Sequence, residues 1–168
     1  MSKSPRIDPE LAAALNEHVS HEATSAFLYF SMASWSEVRG LTGFSTWLRS
    51  EAEGEMQHML QFVDHLNDRG HQVTYTQIPA PRSNWSGVLE MFEDVVARET
   101  ELCERIDRLI ENSHEKRDHF TGSFLQQFVP QQIADTAAAD EILDRLRIVG
   151  SDGQGVILID QELRARVG

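Results

Sequence analysis

Apolar residues recur every three or four positions along most of the chain, which is the spacing of one face of an α-helix. Four such stripes predict four long helices, each of about 28 residues and about 40 Å at 1.5 Å per residue. The first apolar residues of the four stripes are Leu11, Phe44, Leu89 and Phe124. Only residues 156–159 read as a strand. The pattern predicts one all-α domain over residues 1–168, with a bundle at about 8–149 and a short helix at about 156–166.

One connection between the helices is long and the others are short. The long one, residues 71–86, contains Pro79 and Pro81 and joins the second stripe to the third. Fully extended, it reaches about 50 Å, enough to run the length of the bundle and to begin the third helix beside the start of the second. Pro130 lies inside the fourth stripe and predicts a bend near the middle of that helix, because proline removes one backbone hydrogen bond.

Each apolar stripe is interrupted near its midpoint by polar residues on the face that should be buried. The interrupting residues are Glu22 on the first helix, Glu55 and His58 on the second, Glu99 on the third, and Gln132 and Asp135 on the fourth. In a bundle of helices of equal length, these midpoints share one layer. His18 and His21 are left out of this set, because a side chain next to Glu22 in the sequence points to another face.

Carboxylates gathered in one buried layer need compensation, because an unpaired buried carboxylate costs several kcal/mol and like charges repel. For any single Glu, a side chain that reaches the surface at a helix edge is the simpler interpretation. Four interruptions at one depth argue against it for the set. Protons are one form of compensation. Since no Lys or Arg lies on the stripes within a turn of the layer, the simplest other source of positive charge is a pair of divalent metal ions. Carboxylates with one Glu-x-x-His make a mixed oxygen and nitrogen site suited to iron.

Charge and composition narrow the class of partner. The net charge of −12 argues against nucleic acid and suits cations. The single thiol, Cys103, excludes an intramolecular disulfide and fits a reducing compartment. No apolar run approaches the length of a membrane span, and the first six residues lack the apolar segment of a signal peptide. We therefore expect a cytoplasmic protein with no nucleic-acid partner and no membrane partner.

At these residues the sequence resembles the ferritin family, in particular the non-haem bacterial ferritins, over nearly the whole chain. The resemblance rests on residues 15–22 with Tyr29, on Glu55-Met-Gln-His58-Met, on Phe124-Leu-Gln-Gln-Phe128 with Gln132, and on residues 155–163. It implies a ferritin-like four-helix bundle with one long crossover and a short fifth helix.

The resemblance also implies roles for individual side chains. It implies a first iron held by Glu22, Glu55 and His58, with Glu55 bridging to a second iron. The residues expected at the second iron are Glu99, Gln132 and Asp135. Tyr29 matches the family's tyrosine beside the centre, so Tyr29 and Glu55 are the expected catalytic residues.

Several positions depart from the family pattern. The third iron site of non-haem bacterial ferritins is made by three glutamates, and the matching residues here are Gly54, Gln131 and Ala134. We therefore expect two irons per subunit. Asp135 stands where this branch usually has Glu. Met56 matches the haem methionine of bacterioferritins, but non-haem ferritins also carry Met there, so no haem is expected.

By resemblance, the expected function is that of a ferroxidase that also stores iron. Such a subunit binds ferrous iron, reduces oxygen or peroxide, and deposits a ferric mineral core in a homo-oligomeric shell of twenty-four copies. Two alternatives stay open. A non-catalytic cage subunit is disfavoured because the acids and His58 are retained. A di-iron oxidase or peroxidase without storage, similar to rubrerythrin, is disfavoured because a second Glu-x-x-His is missing and a fifth helix is expected.

Overall fold

The computed structural model describes residues 6–166, and these residues form six helices and no strand. The helices are α1 (Pro9–Glu37), α2 (Thr42–Asp68), α3 (Val88–Glu115), α4 (His119–Gln126), α5 (Val129–Val149) and α6 (Gly153–Arg166). The all-α prediction is confirmed. Residues 1–5 and 167–168 of the predicted domain lie outside the described part of the chain. No helix within residues 6–166 combines the length and the apolar character needed to cross a membrane.

The start of α1 and the turn after it follow from local sequence. Asp8 caps the helix, because its Oδ1 accepts hydrogen bonds from the backbone N–H groups of Glu10 (3.0 Å) and Leu11 (3.2 Å). Pro9 is the first helical residue, where it needs no N–H partner. Gly40 has a φ of +76° and allows the tight turn into α2. As a result α1 and α2 pack as an antiparallel pair.

The long connection runs along α1. It is held first near Asn16, whose side chain bonds both the carbonyl oxygen (2.9 Å) and the N–H (2.8 Å) of Thr74. It is held again further along the helix, where the Ser31 hydroxyl donates to the carbonyl oxygen of Arg82 at 2.7 Å. The connection thus travels from the end of α2 to the start of α3, and α3 begins beside the origin of α2, as the sequence predicts.

The fourth helix differs from the single bent helix predicted from the sequence. It is two helices, α4 and α5, separated by a turn at residues 127–128. Pro130 lies in the first turn of α5, where its missing N–H has no partner to lose. The interruption therefore falls before the proline, toward the N-terminal end of the predicted helix instead of at its middle.

The short last helix begins at Gly153, three residues before the predicted start, and the strand-like run 156–159 lies within it. Asp160 of α6 is buried, and its Oδ1 accepts the backbone N–H of Phe44 at 2.9 Å. That N–H belongs to the first turn of α2 and has no partner inside its own helix. Gly43 lies directly against the backbone of Asp160, where a Cβ would overlap the carbonyl oxygen. α6 is thus docked on the start of α2.

The apolar core consists of two clusters with a polar layer between them. One cluster fills the end of the bundle around Phe44, Phe92 and Ile142. The other fills the opposite end around Leu15 and Phe62.

Glu55 of α2, Glu99 of α3 and Gln132 of α5 lie between the residues of the two clusters. Glu22 of α1 lies next to Ala23, the last residue of its cluster on that helix. The fold therefore holds the polar residues in one layer across the bundle.

Candidate metal centre

Three glutamates from three helices are buried in this layer. Glu22 of α1 is 0% exposed, Glu99 of α3 is 2% exposed, and Glu55 of α2 is 5% exposed. Gln132 of α5 is also buried. Burial of this kind is costly for a carboxylate, and it recurs here on one level of the bundle.

Glu22, Glu55 and His58 form a compact cluster. Each offers one ligand atom, and these atoms lie within 4.8 Å of one another. Glu55 and His58 are three residues apart and so share a face of α2, with Nδ1 of His58 3.2 Å from Oε2 of Glu55. The His58 ring packs edge-on against Phe128, with ring centroids 5.5 Å apart. Two carboxylates and an imidazole at this spacing suit a divalent transition metal.

Glu99 faces the same layer from α3. The hydroxyl of Tyr29 donates a hydrogen bond to Oε1 of Glu99, and both side chains are fully or nearly fully buried. Oε2 of Glu99 has no hydrogen-bond partner among the described residues, and the same holds for Oε2 of Glu22 and Oε1 of Gln132. Buried acceptors are normally paired. Three unpaired acceptors from three helices therefore make this layer suited to binding cations.

Burial and mutual repulsion raise the pKa of the central acids. Burial, followed by the charge of Glu22, raises the pKa of Glu55 to about 8. Burial, followed by the charge of Glu55, raises the pKa of Glu99 to about 7. Burial also raises the pKa of Glu22. Burial acts to lower the pKa of His58, but the hydrogen bond to Glu55 and the charge of Glu22 outweigh it and raise the pKa. At neutral pH the layer thus holds protons that a metal ion must displace.

Asp135 lies apart from the compact cluster. It is half-buried, and its Oδ1 accepts a hydrogen bond from Nε2 of Gln131 at 2.7 Å. Together with Glu55 and His58, these two residues line a cavity of about 290 Å³ between α2 and α5. Gly54 also lines this cavity, and nothing lies within 4 Å of where its Cβ would be. The cavity provides an opening from Glu55 and His58 to the surface.

The three positions that the resemblance predicts to match a third iron site carry no acid. Gly54 leaves open space, Gln131 is exposed and bonded to Asp135, and Ala134 is exposed. A different acid, Glu51, lines the same cavity one turn before Glu55. Burial, followed by the charge of Asp135, raises the pKa of Glu51 to about 8.

Glu51 and His18 are two residues of this region that the sequence analysis missed. His18 is buried, and its Nε2 lies 2.7 Å from Oε1 of Glu22. The sequence held a signal for each, because His18 is four residues before Glu22 and Glu51 is four residues before Glu55. Residues at this spacing share one face of a helix. Leaving His18 out of the polar layer was therefore wrong, because His18 lies on the same face of α1 as Glu22.

Known proteins resemble this chain over most of its length. A sequence profile of the ferritin-like domain matches residues 12–149. The chain is 34% identical over 160 residues to a bacterial non-heme ferritin of Staphylococcus saprophyticus, covering 95% of this chain and 96% of that protein. It is 30% identical over 157 residues to a bacterial non-heme ferritin of Escherichia coli, covering 94% and 95% of the two chains. The crystal structure of an open pore ferritin from the hyperthermophilic archaeon Archaeoglobus fulgidus superposes with a TM-score of 0.91, at 35% identity, covering 94% of this chain and 96% of that chain.

Proposed function

The chain belongs to the ferritin family, and from that premise we propose that it oxidises ferrous iron at its central layer of acids and stores the ferric product. The family and its non-heme ferritin relatives support iron storage as the general role. The buried layer supports the more specific proposal of a ferroxidase, because a subunit that only formed a cage has no use for buried acids in its core.

One observation carries the proposal, namely the unpaired buried oxygens. Oε2 of Glu22, Oε2 of Glu99 and Oε1 of Gln132 accept no hydrogen bond in the described part of the chain. An unpaired buried acceptor costs about 1 to 3 kcal/mol, and more when it is charged. A proton shared between Glu55 and Glu22 serves Glu22 alone, whereas cations at the two iron positions assigned below would serve all three oxygens.

We assign the side chains to two iron positions. Glu22, Glu55 and His58 hold the first iron, since their ligand atoms lie within 4.8 Å of one another. Glu55 also bridges to the second iron. The side chains assigned to the second iron are Glu99, Gln132 and Asp135. Asp135 is the weakest of these, because its carboxylate is bonded to Gln131 and lies outside the compact cluster.

The carboxylates suit the charge change of the reaction. Two ferrous ions supply two electrons, which with two protons reduce one O₂ to hydrogen peroxide and leave two ferric ions. The acids stabilise the higher charge of the ferric product. Tyr29 acts on the site through Glu99. The Tyr29 hydroxyl holds one oxygen of the Glu99 carboxylate and leaves the other oxygen to bind metal. The same oxidation with peroxide as the acceptor uses the same electrons and the same ligands.

The cage is the other half of the proposal. We propose a homo-oligomeric shell of twenty-four copies that encloses the ferric mineral, in keeping with the ferritin relatives. The docked α6 supplies the fifth helix that such a shell uses at its four-fold axes. Cys103 is a free thiol, which fits a reducing, cytoplasmic location.

Oxygen uptake tests the proposal directly. Ferrous iron is added at two ions per subunit in an oxygen electrode, and the protein is sized on a column in parallel. We expect rapid uptake of about one O₂ for every two ferrous ions and elution as a large shell. Oxygen uptake no faster than in buffer, together with no faster rise of ferric absorbance when peroxide replaces oxygen, would leave only a passive cage. Rapid uptake by a small oligomer that retains no iron would instead indicate a rubrerythrin-like oxidase.

A further inference from the structure

His18 is a buried polar side chain with no part in the ligand set proposed above. It is 1% exposed, and its Nε2 lies 2.7 Å from Oε1 of Glu22. Its ring packs against Phe62 with centroids 4.5 Å apart, which fixes the orientation of the imidazole. His18 also lines a cavity of about 210 Å³ between α1 and α3. A side chain that only filled the core would be better served by an aliphatic residue, because burying an imidazole is costly.

The hydrogen bond to Glu22 defines where the imidazole proton lies. A carboxylate that holds a metal ion is ionised and can only accept. The neighbouring nitrogen, Nε2, must then carry the proton and donate it. In a neutral imidazole Nδ1 is left as a bare acceptor, which agrees with the absence of any partner for Nδ1 among the described residues. The geometry is thus that of a donor directed at one oxygen of Glu22.

Glu99 has the same arrangement of hydrogen bonds as Glu22. Tyr29 donates to Oε1 of Glu99 and leaves Oε2 of Glu99 unpaired. His18 bonds Oε1 of Glu22 and leaves Oε2 of Glu22 unpaired. The neighbouring carboxyl of Glu55 offers no donor to Glu22 once both acids are ionised. Glu22 and Glu99 therefore each have one oxygen held by a buried donor and one oxygen free for a cation.

We propose that His18 is a positioning residue that fixes Oε1 of Glu22 and so presents Oε2 as a single-oxygen ligand to the first ferrous ion. This inference rests on the proposed function, since it requires a metal ion at the Glu22, Glu55 and His58 cluster. Hydrogen bonds to metal-binding carboxylates orient the ligand, and their loss typically costs ten-fold to hundred-fold in metal affinity.

Three substitutions at His18 separate a donor from a space-filling residue. His18→Gln places an amide N–H close to the position of Nε2 and keeps the donor. His18→Asn keeps a polar group that is too short to reach Glu22. His18→Leu removes the donor and keeps the bulk. His21→Leu is the matched control, because His21 lies on the same helix and bonds Glu17 at 3.3 Å instead of Glu22.

Anaerobic titration with Co²⁺ reads out the first site without any oxidation, since the visible spectrum of Co²⁺ reports its coordination. We expect His18→Leu and His18→Asn to bind the first Co²⁺ about ten-fold to hundred-fold more weakly and with an altered spectrum. We expect His18→Gln to lose less than about ten-fold in affinity and His21→Leu to match the wild type. Thermal unfolding of the metal-free proteins is measured in parallel, so that loss of stability is not mistaken for loss of affinity.

The outcomes distinguish this inference from the proposed function. Wild-type affinity and spectrum in either His18→Leu or His18→Asn would overturn the positioning role, as would a His18→Gln variant as weak as His18→Leu. Either result leaves the metal centre itself intact. Failure of the wild-type protein to bind Co²⁺ at the cluster would contradict the metal centre, and the positioning role with it.

Discussion

Replacing Glu55 with Gln should stabilise the metal-free protein, and the gain should grow as the pH rises. Gln has nearly the same shape as Glu but carries no charge, so it keeps the packing of α2 and removes the central acid. Burial and the charge of Glu22 raise the pKa of Glu55 to about 8 in the folded protein. In the unfolded chain the same carboxyl has its ordinary pKa of 4.5.

The direction follows from proton binding. Between these two pKa values the folded protein holds a proton on Glu55 that the unfolded chain has lost, so raising the pH favours unfolding. The destabilisation of the folded protein by Glu55 is smallest below pH 4.5 and grows as the pH rises toward 8. Because a difference of one in pKa is worth about 1.4 kcal/mol, Glu55 alone should cost the metal-free protein about 3 kcal/mol more at pH 8 than at pH 5.

Thermal unfolding in the presence of a chelator measures this difference. For a chain of this length, 1 kcal/mol corresponds to about 2 to 4 °C in Tm. On raising the pH from 5 to 8, the Tm of the wild type should therefore fall by about 6 to 12 °C more than the Tm of Glu55→Gln. Glu111→Gln is the matched control, since Glu111 lies on α3 and is exposed. Equal pH dependence in wild type and Glu55→Gln would refute the reasoning.

Three further outcomes follow from the same geometry. Asp135→Ala should slow later turnovers of iron oxidation more than the first, because Asp135 lies outside the compact cluster; complete loss of the first rapid phase in stopped-flow absorbance would make it an essential ligand. Anaerobic ferrous titration should saturate at two tight irons per subunit, and a crystal soaked in ferrous iron that shows a full third metal near Gln131 would contradict this. Gly54→Ala should raise the free energy of unfolding by about 0.5 to 1 kcal/mol. Gly43→Ala should instead lower the Tm and expose α6 to protease, because the new Cβ would overlap the backbone of Asp160. Similar effects of the two substitutions would argue against the docking of α6 on α2.

Most of the fold was predictable because helical periodicity and turn residues are local signals. The stripes placed α1, α2 and α3 closely, and the length of the connection at 71–86 placed α3 beside α2. The break before α5 was harder to place, since Pro130 is equally compatible with a bend inside a helix and with the first turn of a new one. The likeness to ferritin structures confirms the predicted bundle with its short last helix.

The polar layer was also predictable, because a buried acid leaves a gap in an apolar stripe. The hydrogen bonds within the layer were not, since they join side chains from different helices. Tyr29 and Glu99 are far apart in the sequence, and no local pattern states which oxygen of Glu99 receives the phenol proton. The approach of Glu51 to Asp135 likewise depends on how α2 and α5 pack. The roles assigned to the individual ligands stay predictions.

Rapid mixing of ferrous iron with the Glu55→Ala variant tests the central claim most directly. Glu55 lies in the compact cluster and is the side chain assigned to both irons. Its loss should abolish the fast phase of ferric absorbance in stopped-flow measurements while the protein stays folded, since removing a buried acid also relieves repulsion. Glu111→Ala should keep the fast phase. Oxidation at the wild-type rate in Glu55→Ala would contradict a ferroxidase centre at this layer.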